Sequence, residues 1–248
     1  MSEILGTDFL RHHRFQILKL MLTEVHPIEK YLRGGVVMDV GANRGHWSAA
    51  LLMYAGRRVG DLHLFEPLDK AREILGRVLE GVAPDRDYVL NACALGAETG
   101  EAVLHFEEND PASALATLSG DRANLTHEVR ELRSSATVRV ETLDAYCRER
   151  GIAQIDYLKL DAEGHELSIL KGAQELLAQK RIQALSFEFG LPQLYGDRFR
   201  AHWDLLTGHG YKIALMKRGE GGYDTRPIPA YSTHLERYDW NRYYLAYL

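Results

Sequence analysis

Two groups of residues in this chain have types and spacings suited to chemistry. The first lies in Val36-Val37-Met38-Asp39-Val40-Gly41-Ala42-Asn43-Arg44-Gly45. An apolar run reads as a buried strand, a glycine-punctuated turn closes it, and Gly45 opens a helical pattern. Glycine lets backbone turn sharply and approach a ligand closely, and the first amides of a helix offer donors to anionic groups. Glu66 follows about twenty residues later, at the end of the next strand pattern, where an acidic residue can bind the two hydroxyls of a ribose. Asp39, Gly41, Ala42, Asn43, Gly45 and Glu66 are therefore expected to bind a nucleoside-containing cofactor. A plain strand-to-helix turn with an incidental Glu66 is the competing reading.

The second group is Leu158-Lys159-Leu160-Asp161-Ala162-Glu163-Gly164-His165-Glu166. It ends a strand pattern, at the edge where open α/β sheets hold their ligands. Strand alternation puts Lys159 and Asp161 on one face, and Glu163 follows just beyond. Glu188 ends the neighbouring strand pattern, so four charged groups are expected to converge. Buried charges are costly unless paired or bound to a metal. A Lys159–carboxylate ion pair, with Glu163 capping the helix, would satisfy the same residues without catalysis. His165 has the intrinsic pKa of a general base and equally suits an exposed first helical turn. Asn91 and Ala92 end a further strand pattern, where an amide can recognise an adenine edge. The other histidines lack metal-site spacing.

The surrounding pattern alternates strand and helix. Strands are predicted at Val36–Val40, Asp61–Glu66, Asp87–Leu95, Ile155–Asp161 and Ile182–Phe189. Helices are predicted after Gly45, at 68–80, after Gly164 and near 199–207. This rhythm implies an α/β fold with a mostly parallel sheet and right-handed crossovers. Two late strands, Tyr211–Lys217 and Tyr243–Tyr247, lack a full helix between them and suggest an antiparallel hairpin at the sheet edge. Short strands at Glu101–Phe106 and Thr137–Thr142 flank a polar stretch, 107–135, long enough to be functional and expected to act as a lid. Residues 218–240, rich in Gly, Pro and Tyr, read as a second insertion, with Tyr223 and Tyr231 as candidate stacking residues.

Residues 1–33 read as an N-terminal helical extension to a domain spanning 34–248. Phe9, Leu10, Phe15, Ile17, Leu18, Leu20, Met21 and Leu22 give a helical apolar pattern, with Thr7 or Asp8 as its cap and Pro27 starting a second short helix. That helix is expected to pack on the core or to mediate homo-oligomerisation. The chain has 248 residues, 46% hydrophobic and 26% charged, with a formal charge of −5. Such a balance gives no electrostatic reason to expect nucleic acid as partner. Cys93 and Cys147 make no disulfide framework. No apolar run has the length of a membrane span, and the N-terminus lacks the order of a signal peptide, so a cytoplasmic location is expected.

With these residues in view, the chain resembles the FkbM family of S-adenosylmethionine-dependent methyltransferases. The matching motifs are Asp39-Val40-Gly41-Ala42-Asn43-Arg44-Gly45, Phe65-Glu66-Pro67, Asn91-Ala92-Cys93-Ala94-Leu95-Gly96 and Thr142-Leu143-Asp144. Ile155 through Glu166, Leu170-Lys171-Gly172-Ala173 and Phe187-Glu188 complete the set, which covers about 36 to 247. The resemblance implies a class I methyltransferase fold: a seven-stranded, Rossmann-like sheet of order 3-2-1-4-5-7-6, an antiparallel last strand, and helices on both faces. It implies O-methylation of a hydroxyl on a sugar, polysaccharide or polyketide-like molecule. Related sugar methyltransferases of the macrocin type hold a divalent metal, such as Mg2+, on carboxylates after the fourth and fifth strands, with a base two residues along. By position Asp161 and Glu188 are ligand candidates and Glu163 the base. This chain has one acidic residue, Glu188, where the macrocin type has two adjacent ones.

Methyl transfer fits these residues physically. The acceptor oxygen must be aligned with an already activated methyl group, and an alcohol must lose its proton. A nicotinamide-dependent oxidoreductase would use Glu66 equally well, but no Tyr is followed by Lys four residues later. A non-catalytic cofactor-binding module acting through the N-terminal helix would leave the charged cluster unexplained. A nucleic-acid methyltransferase is opposed by the acidic balance.

Overall fold

The apolar run before the glycine turn becomes the central strand in a computed structural model that describes residues 13–113, 115–118, 132–189, 198–219, 222–236 and 243–248. In chain order the described strands are β1 (Val36–Val40), β2 (Leu62–Phe65), β3 (Val89–Asn91), β4 (Ala94–Leu95), β5 (Gly100–Phe106) and β6 (Ser134–Glu141). They continue with β7 (Ile155–Leu160), β8 (Ile182–Glu188), β9 (Lys212–Gly219), β10 (Gly222–Ile228) and β11 (Tyr243–Tyr247). The main sheet has the order β10-β9-β11-β8-β7-β1-β2-β3. Pairing is parallel from β3 through β8, and β11 lies antiparallel between β8 and β9. This is the 3-2-1-4-5-7-6 order of class I methyltransferases with one strand added at the edge.

Strand alternation sends side chains to two apolar layers. Met38, Val40, Leu158, Leu160, Leu185 and Phe187 point to one face. The helices Leu143–Glu149, Glu166–Lys171, Gln174–Ala178 and Phe199–Gly208 cover it. Val37, Leu62, Leu64, Tyr157 and Leu245 point to the other, under the helices His46–Ala55 and Asp69–Val82. The N-terminal segment packs on this second face. Residues 13–20 are helical, Met21–Val25 forms a π-helical turn, and His26–Tyr31 is a 3-10 helix with Pro27 in its first turn. Ile17, Val25, Ile28 and Leu32 are buried there, whereas Phe15, Leu18 and Leu22 are exposed. The cap residues Thr7 and Asp8, and Phe9 and Leu10, lie outside the described residues.

Four details depart from the sequence-based expectations. The expected third strand breaks at Ala92-Cys93: β3 pairs with β2, while β4 leaves for a second, three-stranded sheet of order β4-β6-β5. The bend buries Cys93 completely, and an apolar run does not reveal that its two halves belong to different sheets. The helix expected after Gly164 is two short helices parted at Gly172-Ala173. A Cβ on Gly172 would lie 2.0 Å from the Gly96 carbonyl oxygen. The second helix is capped from a distance by Asp144, which accepts the Glu175 and Leu176 amides at 2.9 and 3.0 Å.

The two late strands pair antiparallel as expected, β9 with β11, but β10 intervenes between them in the chain and takes the sheet edge. The edge hairpin is β9–β10, and β10 occupies part of the expected insertion 218–240. Its Pro227 is tolerated because an edge strand bonds on one side only. Of the stretch 107–135, residues 119–131 lie outside the described residues; 107–113 and 115–118 fold as a strap between β5 and the glycine turn.

Entry into β1 is fixed by Asp156 on β7. Its Oδ2 accepts the amides of Arg33 and Gly35 at 2.9 and 2.8 Å, and the residue is buried. Asp156→Ala is expected to leave these amides without an acceptor and to lower stability by about 1–3 kcal/mol. The urea midpoint measures this; an unchanged midpoint means the tie is dispensable.

Candidate active site

Parallel register places Lys159 on β7 beside Asp39 on β1. Both point to the face covered by the helix His46–Ala55, from which the Ser48 hydroxyl donates to Asp39 Oδ2 at 2.7 Å. Lys159 Nζ lies 3.4 Å from Asp39 Oδ1 and 2.9 Å from Asp161 Oδ2. Burial alone would drive the proton off Lys159, but Asp161, Asp39 and Glu24 outweigh it and hold its pKa above the ordinary lysine range. Burial pushes Asp39 up, against the pull of Lys159 and Ser48. The Tyr243 hydroxyl donates to Asp161 Oδ2 at 3.3 Å, and burial followed by Asp161 pushes its own pKa well up.

Beyond this ion pair the chain turns tightly. Glu163 takes φ +48°, a left-handed conformation that costs a non-glycine residue energy and tends to persist at functional sites. The turn is braced by Glu166, which is fully buried and accepts the Ala162 and Gly164 amides at 2.8 and 3.3 Å. Asp161, Glu163 and Glu188 each offer a carboxylate oxygen, and these oxygens lie within 4.8 Å of one another. Burial, then neighbouring carboxylates, raises the pKa of Glu163 and of Glu188 well above the usual range.

The glycine turn closes the other side. Gly41 has φ +78°, and a Cβ on it would lie 1.8 Å from the Asp161 carbonyl oxygen. Gly45 has φ +76° and packs against Leu75. These glycines are thus required first by strand-end and helix packing. The turn amides are also committed: Gly41 and Ala42 donate to the Phe65 carbonyl, and Asn43 donates to Glu66 Oε2 at 2.8 Å. Glu66 Oε1 accepts from the Leu68 amide at 2.8 Å, and burial pushes its carboxyl up to about 7. Asn43, itself at φ +46°, donates its side-chain amide to the Ala112 and Ser113 carbonyls at 3.3 and 3.1 Å. Arg44 clamps Asp110, and Thr117 Oγ1 donates to the Glu163 carbonyl at 3.2 Å. The strap is tied to both halves of the site.

Between the halves lies a cavity of about 240 Å³. Its wall brings together Gly41, Ala42, Asn43, Glu66, Lys159, Asp161, Glu163 and His165. Asp39, Gly45 and Glu188 are not among the residues that line it. Asn91 and Ala92 are off the wall. The Asn91 side chain donates to the Leu64 carbonyl at 3.0 Å, Ala92 is exposed, and Cys93, Ala94 and Leu95 face the cavity instead. Sequence reasoning missed Leu20 and Glu24 from the N-terminal segment, and Tyr243. None belongs to a motif; a carboxylate within an apolar helical pattern was the only signal for Glu24.

This strand order, with a glycine turn after β1, an acidic residue ending β2 and a charged cluster ending β7, is that of the class I S-adenosylmethionine-dependent methyltransferases. The Methyltransferase FkbM domain matches residues 39–213, and the chain belongs to that family. It is 29% identical over 194 residues to the 2-O-methyltransferase NoeI of Sinorhizobium fredii, covering 75% of this chain and 76% of that protein. It is 29% identical over 280 residues to the AMB antimetabolite synthetase AmbE of Pseudomonas aeruginosa, covering 95% of this chain and 13% of that much longer protein. Among solved structures, magnesium protoporphyrin IX methyltransferase from Synechocystis PCC 6803 with bound SAM aligns at a TM-score of 0.45 and 12% identity. That alignment covers 98% of this chain and 78% of the other. No described helix is long and apolar enough to cross a membrane.

Lys159→Met is expected to cost about 3–5 kcal/mol near pH 8, because it strands the buried Asp39 and the half-buried Asp161 without a cation. A carboxyl whose folded pKa is raised gives stability that is full below its unfolded pKa and lost as pH rises through the folded one. Asp39 is such a group, so the loss should be smaller near pH 5. Urea titrations of parent and variant at both pH values test this; an equal loss at both contradicts it.

Proposed function

We propose that this methyltransferase transfers a methyl group to a hydroxyl of a small molecule or glycan, with Glu163 as general base. The observation that carries this reading is the convergence of Asp161, Glu163 and Glu188 within 4.8 Å, beside the cavity and next to Lys159. Similarity to a 2-O-methyltransferase supports a hydroxyl acceptor.

The cavity suits S-adenosylmethionine in kind. Glu66 on its wall would accept the ribose hydroxyls, Phe65, Leu95 and Ile169 would give apolar contact, and the excess of carboxylates suits a cationic ligand. The cofactor supplies a methyl group activated on a sulfonium. The protein's task is then to align the acceptor oxygen and remove its proton. Glu163 accepts that proton as the oxygen–carbon bond forms and the carbon–sulfur bond breaks, leaving S-adenosylhomocysteine. A carboxyl raised by burial and like charges is a stronger base than a free one, which matches its proton affinity better to neutral conditions. Lys159 fixes Asp161 so that this strained turn presents Glu163. His165, also on the wall, would contact the acceptor. The strap residues Ser113, Ala116 and Leu118 would close over it.

A divalent cation would also balance the cluster. Oxygen ligands suit a hard ion such as Mg2+, and Asp161 and Glu188 would hold it. Asp161 Oδ2 already receives Lys159 and Tyr243, so such an ion would compete with these donors for the Asp161 carboxylate. A bound cation there would make an acceptor hydroxyl more acidic.

Glu66→Ala is expected to weaken S-adenosylhomocysteine binding by about 1.5–3 kcal/mol, the value of a charge-assisted contact, in calorimetric titration. Unchanged affinity excludes the ribose role. Release of S-adenosylhomocysteine should be measured with a panel of glycans and polyols. On any acceptor that turns over, Glu163→Gln should be slowed about a hundredfold or more. Parent-rate turnover would return Glu163 to a structural turn, and full activity in excess chelator would remove the metal.

A further inference from the structure

We infer that Glu24, from the N-terminal segment outside the family match, binds the α-ammonium group at the methionine end of S-adenosylmethionine. The inference rests on the cofactor assignment above.

Glu24 is carried by the π-helical turn Met21–Val25. Val25 is fully buried beneath it, and Leu20 and Glu24 form part of the cavity wall with Gly41, His46, Trp47 and Lys159. Single π-turns within helices recur at functional sites, because the wider turn re-aims side chains. No hydrogen bond from a described residue reaches the Glu24 carboxylate. Its surroundings supply charge but no contact partner: Lys159, Asp161, Asp39 and Lys19 act on it electrostatically. Lys159 is already committed to Asp39 and Asp161, so it cannot serve as a dedicated partner. Burial pushes the Glu24 carboxyl up to about 7, so it gains from a cationic ligand.

The two ends of the cavity fix which cation this is. Glu66 accepts the Asn43 amide at one end of the glycine turn, whereas Gly41 at the other end abuts Asp161, whose charge acts on Glu24. A cofactor with its ribose on Glu66 therefore lays its other end along the glycine turn toward Glu24. That end carries an ammonium group. The sulfonium lies between, beside the carboxylates that handle the acceptor.

Two ligands separate this role from a general effect on the pocket. S-adenosylhomocysteine carries the ammonium; 5′-methylthioadenosine keeps the nucleoside and sulfur but lacks the amino-acid portion. Both are titrated calorimetrically into the full chain and into Glu24→Gln, which keeps the side-chain shape. The expected result is a tenfold or greater loss of S-adenosylhomocysteine affinity, consistent with loss of a charge-assisted contact, with methylthioadenosine affinity unchanged. Equal S-adenosylhomocysteine affinity in parent and variant overturns the inference. Equal weakening of both ligands also overturns it, because Glu24 would then only shape the pocket. A parent chain that binds neither ligand overturns the cofactor assignment itself, so the two failures are distinguishable.

Discussion

The buried ammonium of Lys159 is the constraint on which the site depends. It stands where β1 and β7 pair, with Asp39 behind it and Asp161 ahead. Removing Lys159 leaves Asp39 and Asp161 without their cation, which is far costlier than never having built the pair. The strand register, the seating of the helix His46–Ala55 through Ser48, and the position of the turn after β7 are correlated through one cation. Asp39 is spent on this task and does not reach the cavity wall.

Fixing Asp161 also fixes the turn after it. The Asp161 carbonyl presses against Gly41, so the two strand ends close on each other, and Glu166 braces the next turn from beneath. Glu163 is left in a strained conformation at the cavity wall, within reach of Asp161 and Glu188. The surplus of carboxylates over cations makes the pocket suited to cationic ligands and keeps proton affinities there high. The strap completes the enclosure by bonding to Asn43 and Arg44 on one side and to the Glu163 carbonyl on the other. The same segment is therefore tied to both halves of the cavity.

Much of this was legible in the residues. The alternation of strand and helix, the glycine turn, Glu66, and the charged run from Lys159 to Glu166 stand in local patterns, and local patterns follow from backbone and side-chain preferences. The departures have a common cause. Asn91 was expected at the cofactor; its side chain donates to the Leu64 carbonyl, a partner from another strand, and is not among the cavity-lining residues. The break at Gly172 is imposed by Gly96, far away in sequence. The strand β10 was hidden by its Gly and Pro content, which a single-sided edge accepts.

The sequence by itself determined the class of fold, the strand ends that line the cavity, and the family, because these rest on short-range periodicity and contiguous motifs. Only the tertiary structure decided which side chains share one space. Register set Lys159 against Asp39, the inserted β11 delivered Tyr243 to Asp161, and packing of the N-terminal helices on the second face of the sheet brought Glu24 to the cavity. Those meetings depend on contacts between segments remote in the chain, and their free energy comes from burial and charge pairing that no local pattern encodes.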